Sequence, residues 1–262
     1  MKKLMTLAAL VAACAPAFTA EVESSNVVGY TKLNLAAGYN MIGVPFKAVA
    51  TDGATKSITE IGKLDSSFAG YDDEYDFATQ MEVWNGTGYD FYGWAGTSGT
   101  DVDGDATLDN TWTDMVAEPV DEELQVGNGF WVKAANAGTI TLLGEVVKTN
   151  VTVSIAAGYN IVANPYPCDV NITNFGRLDD SFAGYDDEYD FTTQMEVWNG
   201  TGYAFYGWAG SSGTDVDNDP TLDYTWTDMV AEPVDGVIPA GSSVWIKAAH
   251  SGTLTVTAPH LD

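Results

Sequence analysis

The sequence predicts an all-β protein made of two tandem β-sandwich or small-barrel units that arose by internal duplication. Residues 64–121 recur as residues 178–235, and 51 of the 58 aligned positions are identical. A fixed long-range repeat is typical of two copies of one structural unit. Each copy consists of short apolar stretches separated by Gly-rich turns, with almost no helical periodicity, which is typical of sandwiches and small barrels.

Two strands are predicted at the start of each copy. In the first copy they cover residues 27–35 and 41–46 with a turn at 36–40, and the second copy repeats them at 151–155 and 161–166. Branched and aromatic residues in these stretches favour strands, and the glycine and asparagine between them favour a turn.

The only helical pattern follows these strands. Ile58, Ile61 and Leu64 are spaced three residues apart. Ser57 and Glu60 match the S-x-x-E capping box that opens many helices. Because the apolar spacing stops at Leu64, we expect one or two helical turns at most.

A β-hairpin is predicted in the middle of each copy. In the first copy, alternating apolar residues at 81–84 and 89–94 flank Asn85-Gly86, a dipeptide favoured in primed turns. The same pattern recurs at 195–208. Each copy then closes with two further predicted strands, at 130–132 and 139–142 in the first and at 244–246 and 253–256 in the second.

The first twenty residues have the pattern of an export signal. Lys2 and Lys3 precede a short apolar stretch at 4–13, and Ala15-Pro16-Ala17 fits an A-x-A cleavage site. In an alternative interpretation, Cys14 is the lipidated residue of a bacterial lipobox and anchors the chain. The predicted organisation is a signal peptide at 1–20, a first β unit at 21–146 and a second at 147–262.

The charge of the chain excludes several classes of partner. The net charge is −27 at pH 7, which repels nucleic acid and anionic membranes. The chain is 45% hydrophobic and 12% aromatic, so it lacks the composition of a disordered protein. No segment after the signal is apolar enough to predict a transmembrane span.

An acidic segment in each copy predicts a calcium site. Acids at relative positions 1, 3, 5 and 9 match the start of an EF-hand-type loop, and Ca²⁺ prefers several hard oxygen ligands. The usual glycine and chelating glutamate are replaced, so we expect a calcium loop without flanking helices or, alternatively, a solvated acidic loop. The predicted ligands are Asp101, Asp103, Asp105 and Asp109 and their copies Asp215, Asp217, Asp219 and Asp223.

Two further motifs leave alternatives open. The acidic, aromatic stretch at 71–77, repeated at 185–191, is either a further metal site or an exposed loop. The eight tryptophans either stack on sugar rings or belong to the core. The core is expected to hold Trp131 and Trp245, whereas Trp84 and Trp94 flank the hairpin turn and are expected to be half exposed. Histidines occur only near the C-terminus, and no nucleophile motif or zinc spacing is present, so we do not expect an enzyme.

The edges of each copy resemble a known type of module. Gly-Tyr-Asn-Met-Ile-Gly-Val-Pro at 38–45 resembles the G-W-N-L-I-S-x-P opening of β-rich modules in bacterial secreted and cell-surface proteins. Gly-Asn-Gly-Phe-Trp-Val at 127–132 resembles their G-x-G-Y-W-V closing, and the second copy departs further from both. The resemblance implies a surface β module, with no catalytic residues and no defined ligand.

Together these observations predict an exported, acidic protein of the cell surface or exterior that acts in structure, adhesion or assembly and is stabilised by calcium. The expected partners are further copies of the chain or other envelope components. The alternative is a carbohydrate-binding protein whose partner is a polysaccharide. Coplanar exposed Trp or Tyr rings, repeated in both copies, would favour that alternative.

Overall fold

The computed structural model describes residues 27–49, 55–70, 78–96, 108–114, 116, 118, 120, 122–184, 192–211, 220, 222–228, 230 and 232–259. Over these ranges the chain is all-β, with strands in several sheets. The helical segments described are single 3-10 turns at Ile58–Glu60 and Ile172–Asn174. Within the same ranges, no helix is long and apolar enough to cross a membrane.

The strands are numbered in chain order. The first half contains β1 (Val28–Leu35), β2 (Gly38–Gly43), β3 (Phe46–Lys47), β4 (Thr55–Ser57), β5 (Lys63–Leu64), β6 (Gln80–Trp84), β7 (Tyr89–Trp94), β8 (Trp112–Thr113), β9 (Glu123–Gln125), β10 (Gly129–Ala134) and β11 (Gly138–Val146). The second half contains β12 (Val151–Ile155), β13 (Gly158–Ala163), β14 (Val170–Asn171), β15 (Arg177–Leu178), β16 (Gln194–Trp198), β17 (Tyr203–Trp208), β18 (Trp226–Thr227), β19 (Val237–Ile238), β20 (Ser243–Ala248) and β21 (Gly252–Val256).

The two halves have matching sheets. A five-stranded sheet has the order β2-β10-β6-β7-β8 in the first half and β13-β20-β16-β17-β18 in the second. A smaller sheet joins β1, β11, β3 and β5 in the first half and β12, β21 and β15 in the second. The pairs β4-β9 and β14-β19 complete the described sheets, and all the pairings are antiparallel.

The core lies between the large and the small sheet of each half. Alternate side chains of a strand point to opposite faces, so Phe130 and Val132 enter the core from β10 while Ile140 and Leu142 enter from β11. Buried apolar residues of both halves belong to one continuous cluster. The result is a β-sandwich-like arrangement whose hydrophobic core is shared along the chain.

The predicted hairpin is present and the predicted capping box is not. β6 and β7 end and begin at Trp84 and Tyr89, as predicted, and residues 85–88 form the turn between them. The Asn85 side chain accepts hydrogen bonds from the backbone N–H groups of Thr87 and Gly88, which closes this turn. The capping box is wrong, because the Ser57 side chain makes no cap and instead donates to the Val120 carbonyl.

An aspartate ties the small sheet of each half together. In the second half, Asp179 Oδ2 accepts hydrogen bonds from the backbone and side chain of Thr253, and Oδ1 accepts from the backbone N–H of Ser181. The hydroxyl of Ser181 and these further donors lower the pKa of Asp179 to about 2. Asp65 holds the corresponding position in the first half, with Ser67 and Thr139 as donors.

The depressed pKa of Asp179 predicts a dependence of stability on acid. Hydrogen bonds to the ionised carboxylate stabilise the fold fully above its unfolded pKa, near 4, and this contribution is lost as the pH falls towards 2. Because the group is solvated, we expect less than about 1 kcal/mol from it. Denaturant unfolding of Asp179→Asn should show a smaller loss between pH 4 and 2 than the wild type. Asp180→Asn, at the exposed neighbouring position, should not.

Candidate functional site

The predicted calcium ligands lie mostly outside the described residues. Asp101, Asp103, Asp105, Asp215, Asp217 and Asp219 are among the residues that the structure does not describe. Asp109 and Asp223 are described and half-buried. In the described ranges, no three His, Cys, Asp or Glu side chains are grouped as a metal site. The calcium site therefore stays a prediction.

Two acids near these loops stabilise local turns. Asp114 Oδ1 accepts hydrogen bonds from the backbone N–H groups of Val116 and Glu118, each at 2.9 Å. Asp228 makes the same contacts with Val230 and Glu232. One carboxylate oxygen of each of these two acids is therefore used to close a turn.

The tryptophans that follow the acidic segments belong to the core. Trp112 is fully buried, donates its indole N–H to the Gly62 carbonyl at 3.1 Å and packs edge-on against Trp94. Trp226 and Trp208 repeat this pair in the second half. The expectation that Trp94 is half exposed is wrong, since only 1% of it is accessible.

A seam of reciprocal contacts joins the two five-stranded sheets. The backbone N–H of Gly43 donates to Gly241 O at 2.7 Å, and the equivalent N–H of Ala163 donates to Gly127 O at 2.7 Å. Two β-bridges are reciprocal in the same way: Ile42 pairs with Ser242, and its equivalent Val162 pairs with Asn128. Each half therefore presents the same surface to the other, as the subunits of an isologous dimer do.

The centre of the seam holds two pairs of equivalent residues with small side chains. Gly43 faces Ala163 so closely that a Cβ on Gly43 would lie 2.4 Å from the Ala163 Cβ. Gly129 faces Ser243, and a Cβ on Gly129 would lie 2.5 Å from the Ser243 Cβ. Ser243 donates its hydroxyl to the Ile42 carbonyl at 3.0 Å. Each pair thus combines a glycine of the first half with a larger residue of the second.

Two rows of aromatic rings cross the seam. Trp84 donates its indole N–H to the Tyr159 carbonyl at 2.8 Å, and its equivalent Trp198 donates to the Tyr39 carbonyl at 3.3 Å. Neighbouring rings pack at interplanar angles from 50° to 86°. One row contains Phe91, Tyr89, Trp84, Trp245 and Tyr159, and the other contains Phe205, Tyr203, Trp198, Trp131 and Tyr39.

A buried carboxylate lies on the same sheet face in each half. Burial raises the pKa of Glu196, and the positive charge of Lys247 acts in the opposite direction. Burial, and then the charge and hydrogen bond of Glu196, raise the pKa of Tyr159. Tyr39 and Glu82 form the equivalent pair. In each half, therefore, a tyrosine hydroxyl is hydrogen-bonded to a buried carboxylate.

We call the side of the five-stranded sheets that carries these two rows the aromatic face. The ring at each end of a row is exposed and can contact apolar or planar surfaces. These end rings are Tyr39, Tyr159, Phe91 and Phe205. The inner rings pack on one another at steep angles, so the described tryptophans do not form the coplanar platform expected of a sugar-stacking site. The burial of Trp131 and Trp245 is as predicted. The sequence did not predict the seam.

Comparisons of the chain with protein-family models, curated proteins and solved structures found no match.

Proposed function

We propose that this chain is an exported acidic protein of the bacterial envelope or exterior, with a structural, adhesive or assembly role. The observation that carries the proposal is the seam, in which reciprocal backbone hydrogen bonds and aromatic rows join the two halves. A surface built from both halves suits a structural or adhesive component.

We further propose that the halves are two β-sandwich-like units produced by internal duplication. The near-identical segments 64–121 and 178–235 support this, and so does the matching order of the two five-stranded sheets. On this view the seam is a former dimer interface that now lies within one chain.

The export part of the proposal is tested by processing of the full chain. Expressed with its own N-terminus in a bacterial host, the protein should appear outside the cytoplasm and begin after Ala17 or Ala20. Lipid on Cys14 would select the anchored alternative. An unprocessed chain beginning at Met1 and retained in the cytoplasm would overturn export.

Calcium is expected to stabilise both halves through the acidic segments. Four carboxylates close in sequence repel one another in a chain of net charge −27, and a bound cation removes that repulsion. An extracellular site needs a dissociation constant of only about 10⁻⁴ to 10⁻³ M. Calcium at ten times this constant should then add about 1.4 kcal/mol per site.

Thermal unfolding with excess calcium, compared with excess chelator, measures this effect. Sodium at matched ionic strength separates coordination from screening. Asp103→Ala combined with Asp217→Ala should remove the calcium-specific increase in the midpoint, whereas Asp180→Asn, at an exposed position outside these segments, should keep it. If calcium and matched sodium have equal effects, the acidic segments are solvated loops.

Carbohydrate binding is the second candidate function. The exposed rings of Tyr39 and Tyr159 support it, because they recur at equivalent places in both halves. Retention on insoluble polysaccharides that is lost in a Tyr39→Ala and Tyr159→Ala double variant would favour this function. Equal elution of the double variant and the wild type would reject binding through these rings.

A further inference from the structure

Strand β1 has an open backbone edge. Within the described residues it pairs with β11 alone, continuously from Val28 to Leu35 and without a bulge. The Val27 carbonyl accepts from the Val146 N–H at 2.8 Å, so the backbone groups of the odd-numbered residues of β1 point towards β11. Those of the even-numbered residues point away from the sheet, where another strand can pair with them. These outward residues are Val28, Tyr30, Lys32 and Asn34.

The side chains of the outward residues are exposed and partly apolar. They stand on one face of the sheet, because side chains alternate along a strand. Val28 is 52% exposed and Tyr30 69%, and Leu143, the partner of Tyr30 on β11, is 52% exposed. Apolar side chains beside an open strand edge are typical of a surface that another chain covers. We call this face, together with the open edge, the β1 surface.

The β1 surface differs in charge from the chain as a whole. No acidic residue occurs between Glu23 and Asp52, although the net charge of the chain is −27. The one acid on β11 is Glu145, which is buried opposite Val28 and paired with Lys47 at 3.0 Å. Two copies of so acidic a chain repel each other, so contact between them is favoured where acids are absent or neutralised.

The second half does not repeat this surface. Strand β12 has five residues where β1 has eight. By alignment, the second half carries Asn150 in place of Tyr30 and Thr257 in place of Leu143. The core does not constrain these exposed positions, so apolar residues kept in only one of two similar halves indicate a contact there.

We propose that the β1 surface docks a second copy of the chain, with the two β1 strands pairing antiparallel about a two-fold axis at Thr31. This inference rests on the proposed assembly role and names one contact of it. Tyr30 then faces Lys32 of the second copy, and Val28 faces Asn34, so all four outward residues are paired. Facing side chains share one face of the sheet, which places the Lys32 ammonium over the Tyr30 ring of the other copy.

The sequence of β1 favours this register over its neighbours. A shift in one direction places Lys32 opposite Lys32 of the second copy, and like charges directly opposite each other are destabilising. A shift in the other direction leaves Asn34 without a facing residue. In the favoured register the strand is complementary to itself, which supports a second copy of the chain as the occupant of this edge.

Because both copies use the same surface, the contact is isologous and closes as a dimer. Sedimentation velocity of the mature chain should show a monomer–dimer equilibrium. Added salt should favour the dimer, since it screens the repulsion between two chains of charge −27 while the backbone and apolar contacts remain. A chain that stays monomeric at millimolar concentration in high salt would overturn the proposal.

Cysteine cross-linking tests the register. Thr31 faces itself across the axis as a non-hydrogen-bonded pair, with Cα atoms about 4.5 Å apart, which a disulfide can bridge. In the mature chain with Cys168→Ser, mild oxidation of Thr31→Cys should give a covalent dimer. Asn34→Cys is the matched control, because Asn34 is exposed but lies about 20 Å along the strands from its own copy. Equal cross-linking of the two variants, as random collision would produce, would contradict the proposed contact.

Substitutions on β1 test the chemistry of the contact. Lys32→Pro removes an outward N–H and a cation while keeping the hydrogen bonds to β11. By symmetry it removes two hydrogen bonds per dimer, so the dissociation constant should rise about tenfold. Tyr30→Asn, which introduces the residue of the second half, should also weaken the dimer. Thr152→Pro, at the equivalent place on β12, is the matched control and should dimerise as the wild type does.

The outcomes separate this contact from the proposed function. Equal dimerisation of the wild type, Lys32→Pro and Tyr30→Asn would reject pairing through β1, and fluorescence of the buried tryptophans checks that each variant is folded. Failure of export alone would reject the proposed function and leave this contact standing.

Discussion

Replacing Gly43 by alanine is expected to lower the free energy of unfolding by about 1–3 kcal/mol, the usual cost of overpacking a close contact. The new Cβ would lie 2.4 Å from the Ala163 Cβ and 2.9 Å from the Ser242 carbonyl oxygen. Both neighbours belong to the other half, so the cost measures the closeness of the seam. Denaturant unfolding, followed by tryptophan fluorescence, gives the change.

A second substitution separates the seam from a general effect of alanine. Ala163→Gly removes the nearer obstacle, so the Gly43→Ala and Ala163→Gly double variant should recover part of the lost stability. Gly88→Ala is the matched control, because a Cβ there meets no atom within 4 Å. If Gly43→Ala costs no more than Gly88→Ala, the two halves do not pack as closely as described.

Replacing Trp226 by alanine is expected to cost about 3–5 kcal/mol, as truncation of a large buried aromatic side chain does. Trp226 is fully buried, packs with its ring centroid 5.1 Å from that of Trp208, and donates its indole N–H to the Phe175 carbonyl at 2.8 Å. Trp112→Ala should cost a similar amount, because Trp112 holds the equivalent place in the first half. Phe205→Ala, at an exposed position, should cost much less.

The form of the Trp226→Ala melting curve is as informative as its midpoint. Because buried residues of both halves form one cluster across the seam, damage to the second half should lower the stability of the first. We expect one transition at a lower temperature. A second transition left at the wild-type temperature would show that the first half unfolds independently.

Local pattern was sufficient to predict that the longer strands exist. β2 and β13 nevertheless begin at Gly38 and Gly158, inside the predicted turns, and most of the two- and three-residue strands were not predicted. The apolar alternation at 81–84 and 89–94 identified the hairpin, since side chains of a strand alternate between core and solvent. The role of the Asn85 side chain, which accepts hydrogen bonds from the backbone of Thr87 and Gly88 and so closes the turn at 85–88, was not specified by the Asn-Gly dipeptide alone. Local pattern failed for the capping box, since the Ser57 hydroxyl donates to a carbonyl 63 residues away in sequence.

The seam could not be predicted from pattern, because its contacts depend on how two distant surfaces meet. A signal was nevertheless present in the comparison of the copies. Gly43 aligns with Ala163 and Gly129 aligns with Ser243, and each of these pairs turns out to lie face to face at the centre of the seam. The buried state of Trp94 was missed for a related reason, since its partner Trp112 is contributed by a separate strand.

For the acidic segments, the sequence carries more information than the structure does. Their spacing specifies a plausible set of oxygen ligands, and carboxylates at alternate positions suit a loop that curls around a cation. Asp109 and Asp223 are the two proposed ligands that the structure describes, and a single ligand in each half does not define a coordination geometry. Thermal unfolding with calcium and with chelator is therefore the test of the predicted calcium site.

The cooperativity of unfolding tests the central claim, that the seam makes the two halves one body, most directly. Differential scanning calorimetry of the mature chain, in excess chelator, should show a single transition with a calorimetric enthalpy equal to the van't Hoff enthalpy, a ratio of about 1. Two resolved transitions, or a ratio near 2, would contradict the claim, because each half would then unfold without regard to the other.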